Sequence, residues 1–287
     1  MMAPNLLAIA LGLFSAITLA AANYSVKAGS DILASRAILQ GSASLLMVPV
    51  VLFVVPPPSP AVWGALAITV PVHFLYQLAL ISALSRGDLS LVFPIMRGGA
   101  PMLTGISAFL LLGETLPPIE IAGLLIATLA VLLFAWPPKG IRIAAHPDRR
   151  ALGFAALTAV GIALYNVTDA RGARLAAEPF TFIAWLFLFD CVGILCLAAV
   201  LRRGQWREAI RLRWRYGVAG GALSILSYGA ALYAFTLMET AKVSALRETS
   251  VLFGALMGAL LLKEGFGARR IVAAAVLVVG LALMQLG

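Results

Sequence analysis

A succession of about ten apolar runs, each roughly 18 to 24 residues long and set apart by short charged stretches, limits this chain more than any other feature of its sequence. Such a run crosses a hydrocarbon core of about 30 Å as an α-helix, whose backbone hydrogen bonds are satisfied internally where water cannot reach them. The runs predict spans near 5–26, 33–55, 62–84, 89–112 and 119–136, then near 151–170, 179–201, 216–238, 241–262 and 267–286. Proline-rich punctuation supports these limits: PPPSP (56–60) and LPP (116–118) delimit spans, and WPPKGIRIAAHPDRR (136–150) divides the chain. The expected fold class is therefore an all-α integral membrane protein. Five helices lie over 1–136, a basic cytoplasmic linker over 137–150, and five more helices over 151–287. With 62% hydrophobic and only 11% charged residues, the 287-residue chain has almost no sequence left for a soluble domain.

A net charge of +9 would suit a nucleic-acid partner in a soluble protein, but the distribution of charge gives a different reason for it. With the N-terminus outside, 16 of the 21 lysines and arginines fall in or beside cytoplasmic loops, against only Arg171, Arg174 and Lys242 outside. By the positive-inside rule both termini then face the periplasmic side, and no nucleic-acid partner is expected. In RRGQWREAIRLRWR (202–215), Trp206, Ile210 and Trp214 recur every four residues, with Arg203, Arg207, Arg211 and Arg215 on another face. This pattern predicts a short interfacial helix resting on anionic membrane lipid. No basic residue precedes the first apolar run, so a cleaved signal peptide is not expected. Cys191 and Cys196 read as buried thiols, and His73 and His146 are too far apart in sequence for a local ligand motif. Neither a metal nor a cofactor is expected.

The chain repeats itself. LVFPIMRGGAPMLTGISAFLLLGET (91–115) aligns with AKVSALRETSVLFGALMGALLLKEG (241–265), placing Arg97 on Arg247 and Glu114 on Glu264 at a spacing of 150. NYSVKAG (23–29) aligns with NVTDARG (166–172), placing Asn23 on Asn166 at a spacing of 143. An odd number of spans per copy inverts the second copy in the membrane, as in many secondary transporters.

These residues resemble the ten-helix EamA-type members of the drug/metabolite transporter superfamily, over essentially the whole chain. AANYSVKAG (21–29) is similar to the family's first-helix pattern, with Asn23 and Lys27 in place, although Ala20 and Ala21 stand where the family has tryptophan and glycine. Arg36 resembles the arginine opening its second helix, LGET and LKEG resemble glutamate-containing ends of its fourth and ninth, and Gly123 fits a glycine of the following helix, where the second half has Ala273. The nearest branch is that of the bacterial amino-acid exporters, particularly those for aromatic amino acids. The resemblance implies export of a small-molecule substrate across the bacterial inner membrane by alternating access, without ATP, by a monomer or homodimer.

Deep polar residues are few enough to weigh singly. Arg97 sits in FPIMRGGAPML (93–103), where Pro94, Gly98, Gly99 and Pro101 predict a kinked or broken fourth helix. A guanidinium facing lipid there costs about 2.5–3.5 kcal/mol or more, so Arg97 faces protein or a watery cavity. It contacts either substrate or a local carbonyl or carboxylate that holds a packing kink. Arg247 and Glu248 are neighbours pointing about 100° apart, and Glu248 is the natural counterion for Arg97. Asp190, near the middle of the seventh span, needs a partner or a proton, and is a candidate proton carrier or a salt-bridged structural acid. His73, Tyr76 and Gln77 form a polar stripe that lines a cavity or satisfies interhelical hydrogen bonds. Tyr165, Asn166, Tyr228 and Tyr233 supply aromatic and amide groups in the sixth and eighth spans.

Arginine offers a carboxylate its fork of donors, and Glu248 or carbonyls can take an ammonium, so this inventory suits a zwitterion with an apolar or aromatic side chain. Three rivals remain. Paired arginines would clamp a phosphate ester, although Glu248 beside Arg247 opposes so much negative charge. A proton-driven multidrug exporter of the four-helix kind relies on a first-helix glutamate, and the first span here has no acid. An intramembrane aspartyl enzyme needs two deep aspartates, and only Asp190 reads as well centred.

Overall fold

The computed structural model describes residues 2–26, 31–87, 89–135, 149–202, 206–253 and 268–286. Lys27, Glu264 and all but the last two residues of the basic linker lie outside them. The described residues form α1 (Met2–Val26), α2 (Ile32–Phe53), α3 (Pro60–Arg86), α4 (Leu89–Gly98), α5 (Ala100–Leu112), α6 (Pro118–Ala135), α7 (Arg149–Leu175), α8 (Pro179–Leu201), α9 (Trp206–Ala234), α10 (Thr240–Arg247) and α11 (Ala268–Leu286). No strand occurs among them.

Six stretches are long and apolar enough to cross a membrane: Ile32–Phe53, Pro60–Arg86, Ile95–Leu112, Arg149–Leu175, Pro179–Leu201 and Arg213–Ala234. Shorter apolar helices cover Asn5–Ala21, Pro118–Leu133 and Ile271–Gln285. Large apolar side chains such as Leu45, Phe53 and Leu110 stand exposed, as they can where the surrounding solvent is hydrocarbon. The chain is an all-α, multi-pass membrane protein.

Packing does not follow the order of the sequence. One compact unit gathers Met1–Phe74 and Thr168–Leu237; the other gathers Leu75–Val167 and Met238–Gly287. Each draws on both halves of the chain. In the first, α2 packs against α8 and α9, and α1 against α9. In the second, α6 packs against α11 so closely that a Cβ on Gly123 would lie 2.6 Å from the Gly280 carbonyl oxygen. A Cβ on Gly280 would lie 2.6 Å from the Ala127 nitrogen. Small residues four apart on α6 thus let two backbones touch, which stabilises helix pairs where no water drives association.

The fourth span is interrupted where its composition predicts. Pro101 has no N–H to offer the Arg97 carbonyl, and α4 ends at Gly98 while α5 begins at Ala100. Gly99 keeps right-handed dihedrals (φ −80°, ψ −21°), so the ladder loses a bond without a sharp turn. The repeat-related stretch breaks at the same register without any proline. Glu248 and Thr249 donate their N–H groups three residues back, to Ala245 and Leu246 at 3.0 and 3.1 Å, and the Thr249 hydroxyl also donates to the Leu246 carbonyl at 2.7 Å. Arg97 and Arg247 therefore each stand in the last turn before a helix interruption.

Two expectations need correction. The segment 202–215 is not a separate interfacial helix: α9 runs unbroken from Trp206 to Ala234, since no glycine or proline intervenes before Gly217. Ile210, Arg211, Trp214 and Arg215 on its first turns are nevertheless exposed. Of the two thiols only Cys191 is buried; Cys196 is exposed, because five residues along a helix carry it to a different face.

Candidate functional site

Among the described residues each unit buries a group of polar side chains built from helices far apart in sequence. In the second unit Arg97 Nε lies 3.3 Å from Glu248 Oε2, and its Nη2 donates to Ser250 Oγ at 3.2 Å. Glu248 is 3% exposed, and its Oε2 receives no aligned hydrogen bond among the described residues. The attraction to Arg97 is therefore an ion pair rather than a two-pronged fork. Arg247 is also buried and within electrostatic reach of Glu248. The helix interruption brings all three charges to one place, since Arg97 closes α4, Arg247 closes α10 and Glu248 follows in the tightened turn.

Aromatic and amide groups surround the same helices. Tyr76 of α3 meets Tyr165 of α7 edge to face, with centroids 4.9 Å apart. The approach of α3 to α7 is close, because a Cβ on Gly161 would lie 3.0 Å from Tyr76 Cβ. Asn166 Nδ2 donates to Thr104 Oγ1 at 3.3 Å and Ser244 Oγ at 3.2 Å, while its Oδ1 is buried without a partner among the described residues. Gln77 is buried on α3.

The first unit holds a denser group. His73 Nε2 lies 2.7 Å from Asp169 Oδ2, and His73 Nδ1 lies 3.5 Å from Asp190 Oδ1. Asp169 also accepts from the hydroxyls of Thr69 and Tyr228, and Asp190 accepts from the Gln40 amide. Thr168 and Thr69 share a hydroxyl contact of 2.9 Å. Helices α2, α3, α7, α8 and α9 each contribute, and Asp169 is completely buried.

Sequence reasoning anticipated the Arg97–Glu248 pair and a partner for Asp190, and the structure brings both together. It did not foresee that the stripe His73, Tyr76 and Gln77 divides between the units, His73 in one and Tyr76 and Gln77 in the other. It also missed Asp169, which the predicted end of the sixth span at 170 left at the margin. Helix α7 continues to Leu175, so Asp169 is interior. The available signal was the polar spacing of Tyr165, Asn166 and Asp169, three and four apart on one helical face.

Glu114 in the repeated LGET has a local task. Gly113 closes α5 in the left-handed conformation (φ 70°), which no side chain adopts cheaply, and this reverses the chain. The Glu114 carboxylate then accepts from the Thr240 N–H and hydroxyl, both at 2.8 Å, and so caps the start of α10.

Comparison with known proteins bears on the second half of the chain first. Residues 149–286 match the EamA-like transporter family. Over this stretch the chain is similar to that family. The matched stretch includes α7 to α11, and with them Asn166, Asp169, Asp190, Tyr228, Arg247 and Glu248. A solved structure titled only as the crystal structure of a protein aligns with 100% of this chain and 97% of its own, at a TM-score of 0.70 and 17% identity. At that identity the likeness establishes the fold alone. A search of curated proteins finds no match to the sequence.

Proposed function

We infer that the protein is a secondary transporter that exports neutral, chiefly large apolar or aromatic, amino acids across the bacterial inner membrane by alternating access, with both termini periplasmic. The similarity of residues 149–286 to the EamA-like transporter family supports membrane transport as the activity. The single observation behind the substrate class is the buried pair of Arg97 and Glu248, 3.3 Å apart at an interrupted helix, with Arg247 adjacent. A substrate carboxylate competes for the Arg97 guanidinium and an ammonium for Glu248, so a zwitterion replaces both partners at once. The Tyr76 and Tyr165 rings suit an apolar or aromatic side chain, and Asn166 Oδ1, without a partner among the described residues, is open to a donor on the substrate. Gln77 extends the polar surface on α3.

Phosphate esters fit less well, because Glu248 would repel a dianion that two arginines attract. An intramembrane aspartyl enzyme is also disfavoured, though for a different reason from the one the sequence suggested. Asp169 supplies the second deep carboxylate, but the His73 ring lies between it and Asp190, so the two do not share a proton directly. Purified protein in liposomes, offered a panel of radiolabelled amino acids, sugar phosphates and organic cations without ATP, tests the reading. Uptake of phenylalanine or tryptophan is expected. Movement of sugar phosphates or cations with no amino-acid flux would overturn it.

A further inference from the structure

The His73 group of the first unit carries more than packing. Asp169 has both oxygens engaged by donors: Thr69 on Oδ1, and Tyr228 and the His73 Nε2 on Oδ2. Such a carboxylate accepts three hydrogen bonds as an anion and fixes the ring proton on Nε2. In a neutral imidazole the other nitrogen, Nδ1, then presents a lone pair. Here Nδ1 faces a carboxylate oxygen, Asp190 Oδ1, at 3.5 Å. Two acceptors facing each other in a dry interior repel, unless one proton lies between them.

We propose that His73 Nδ1 and Asp190 Oδ1 form a binding site for a single exchangeable proton, with Asp169 as the residue that orients the ring. The 3.5 Å separation is longer than a charge-assisted hydrogen bond of about 2.7–2.9 Å, so the pair is not locked by a short, strong bond. Gln40 donates to the other oxygen of Asp190 and keeps Oδ1 turned to the ring.

Among the described residues, the charged and titratable groups facing the site are Arg36 from α2, Asp169 from α7, Asp190 and Cys191 from α8, and Tyr228 from α9. Losing the proton leaves one more negative charge at this buried site, which gives loading and release a direct energetic consequence for the helices around it. Deprotonation sends the proton to solvent and leaves neutral His73 beside Asp190; no other bond changes.

The coupling of this proton to flux rests on the transport reading, but the site itself does not. His146 is the only other histidine, so His146→Gln leaves one imidazole to observe. Nitrogen-15 NMR of histidine-labelled His146→Gln protein in liposomes should show His73 passing from imidazolium to neutral ring in one step between pH 5 and 9. The neutral form should carry its hydrogen on Nε2. Asp190→Asn should weaken proton binding at least tenfold, moving that step at least one pH unit lower. A ring that stays neutral throughout, or that titrates identically in Asp190→Asn, overturns the site.

A second measurement reads coupling. In liposomes an imposed pH gradient should drive phenylalanine accumulation by the unaltered protein, whereas Asp190→Asn should retain phenylalanine exchange and lose the response to the gradient. A gradient response unchanged in Asp190→Asn overturns coupling through this site. Absence of any phenylalanine flux in the unaltered protein counts against the transport reading, and the NMR titration then decides the proton site by itself.

Discussion

The two buried groups differ in how completely their acids are paired. Asp169, in the first unit, receives three donors on two oxygens, from helices α3 and α9. Glu248, in the second, holds Arg97 by charge at 3.3 Å, and that oxygen receives no aligned hydrogen bond among the described residues. A carboxylate with three of its roughly four acceptor sites filled has little capacity left for a ligand and serves to orient its neighbours. An ion pair with poor alignment leaves lone pairs and N–H groups that another molecule can take over. The contrast teaches that burial alone does not mark a binding site; unspent hydrogen-bonding capacity does.

The largest expected effect breaks the looser side. Arg97→Ala should abolish amino-acid flux, by a hundredfold or more, and destabilise the protein by about 3–5 kcal/mol because Glu248 is left buried and uncompensated. Thermal unfolding in detergent checks the second part. Arg97→Ala combined with Glu248→Ala should restore most of that stability while flux stays lost. Normal flux in well-folded Arg97→Ala would assign the pair to structure. Arg97→Lys, which keeps the charge but not the planar fork, should fold and transport poorly.

A smaller effect tests the saturated side. In Asp169→Asn one acceptor oxygen becomes an NH₂ facing either the Thr69 hydroxyl or the paired donors of His73 and Tyr228, so a loss on the order of 2–3 kcal/mol is expected. Because Asp169 orients rather than binds, the apparent affinity for substrate should change less than it does in Arg97→Lys. An affinity loss equal to that of Arg97→Lys would erase the distinction between the groups.

The helix ends extend the comparison. In the second unit Glu114 reaches from another segment to cap α10. Glu114→Ala should cost about 1 kcal/mol. Faster amide hydrogen exchange confined to the first turn of α10 is the expected sign.

In the first unit Asp31 caps its own helix α2 through the Ala34 N–H and receives Arg202 at 2.6 Å. The Arg202 hydrogen bond, acting against the opposing effect of burial, holds the Asp31 carboxyl below its ordinary value. A carboxylate lowered in the folded state contributes stability that is fully present above its unfolded pKa, about 3.9, and is lost as pH falls through the folded value. Asp31→Asn should therefore flatten only the acid limb of a stability curve below about pH 4. This is the smallest effect of the four, because the pair is partly exposed to solvent and screened.

The apolar runs determined the helices and, through their length, the membrane as solvent; Pro101 and the paired glycines determined where the fourth span is interrupted. The Arg97–Glu248 pair was legible for the same reason: two opposite charges in apolar runs have few partners, so each predicts the other. Asp169 was not legible, since a hydrophobicity window places a helix end by the charges near it and cannot tell an acid at the margin from an acid inside. The ring of donors around that carboxylate comes from residues up to a hundred positions away, Thr69 among them, and only packing brings them together. Tertiary structure alone also decided that the compact units each take helices from both halves. Local sequence sets the period and length of a helix, whereas its neighbours are chosen by how small residues such as Gly123 and Gly280 let particular backbones approach.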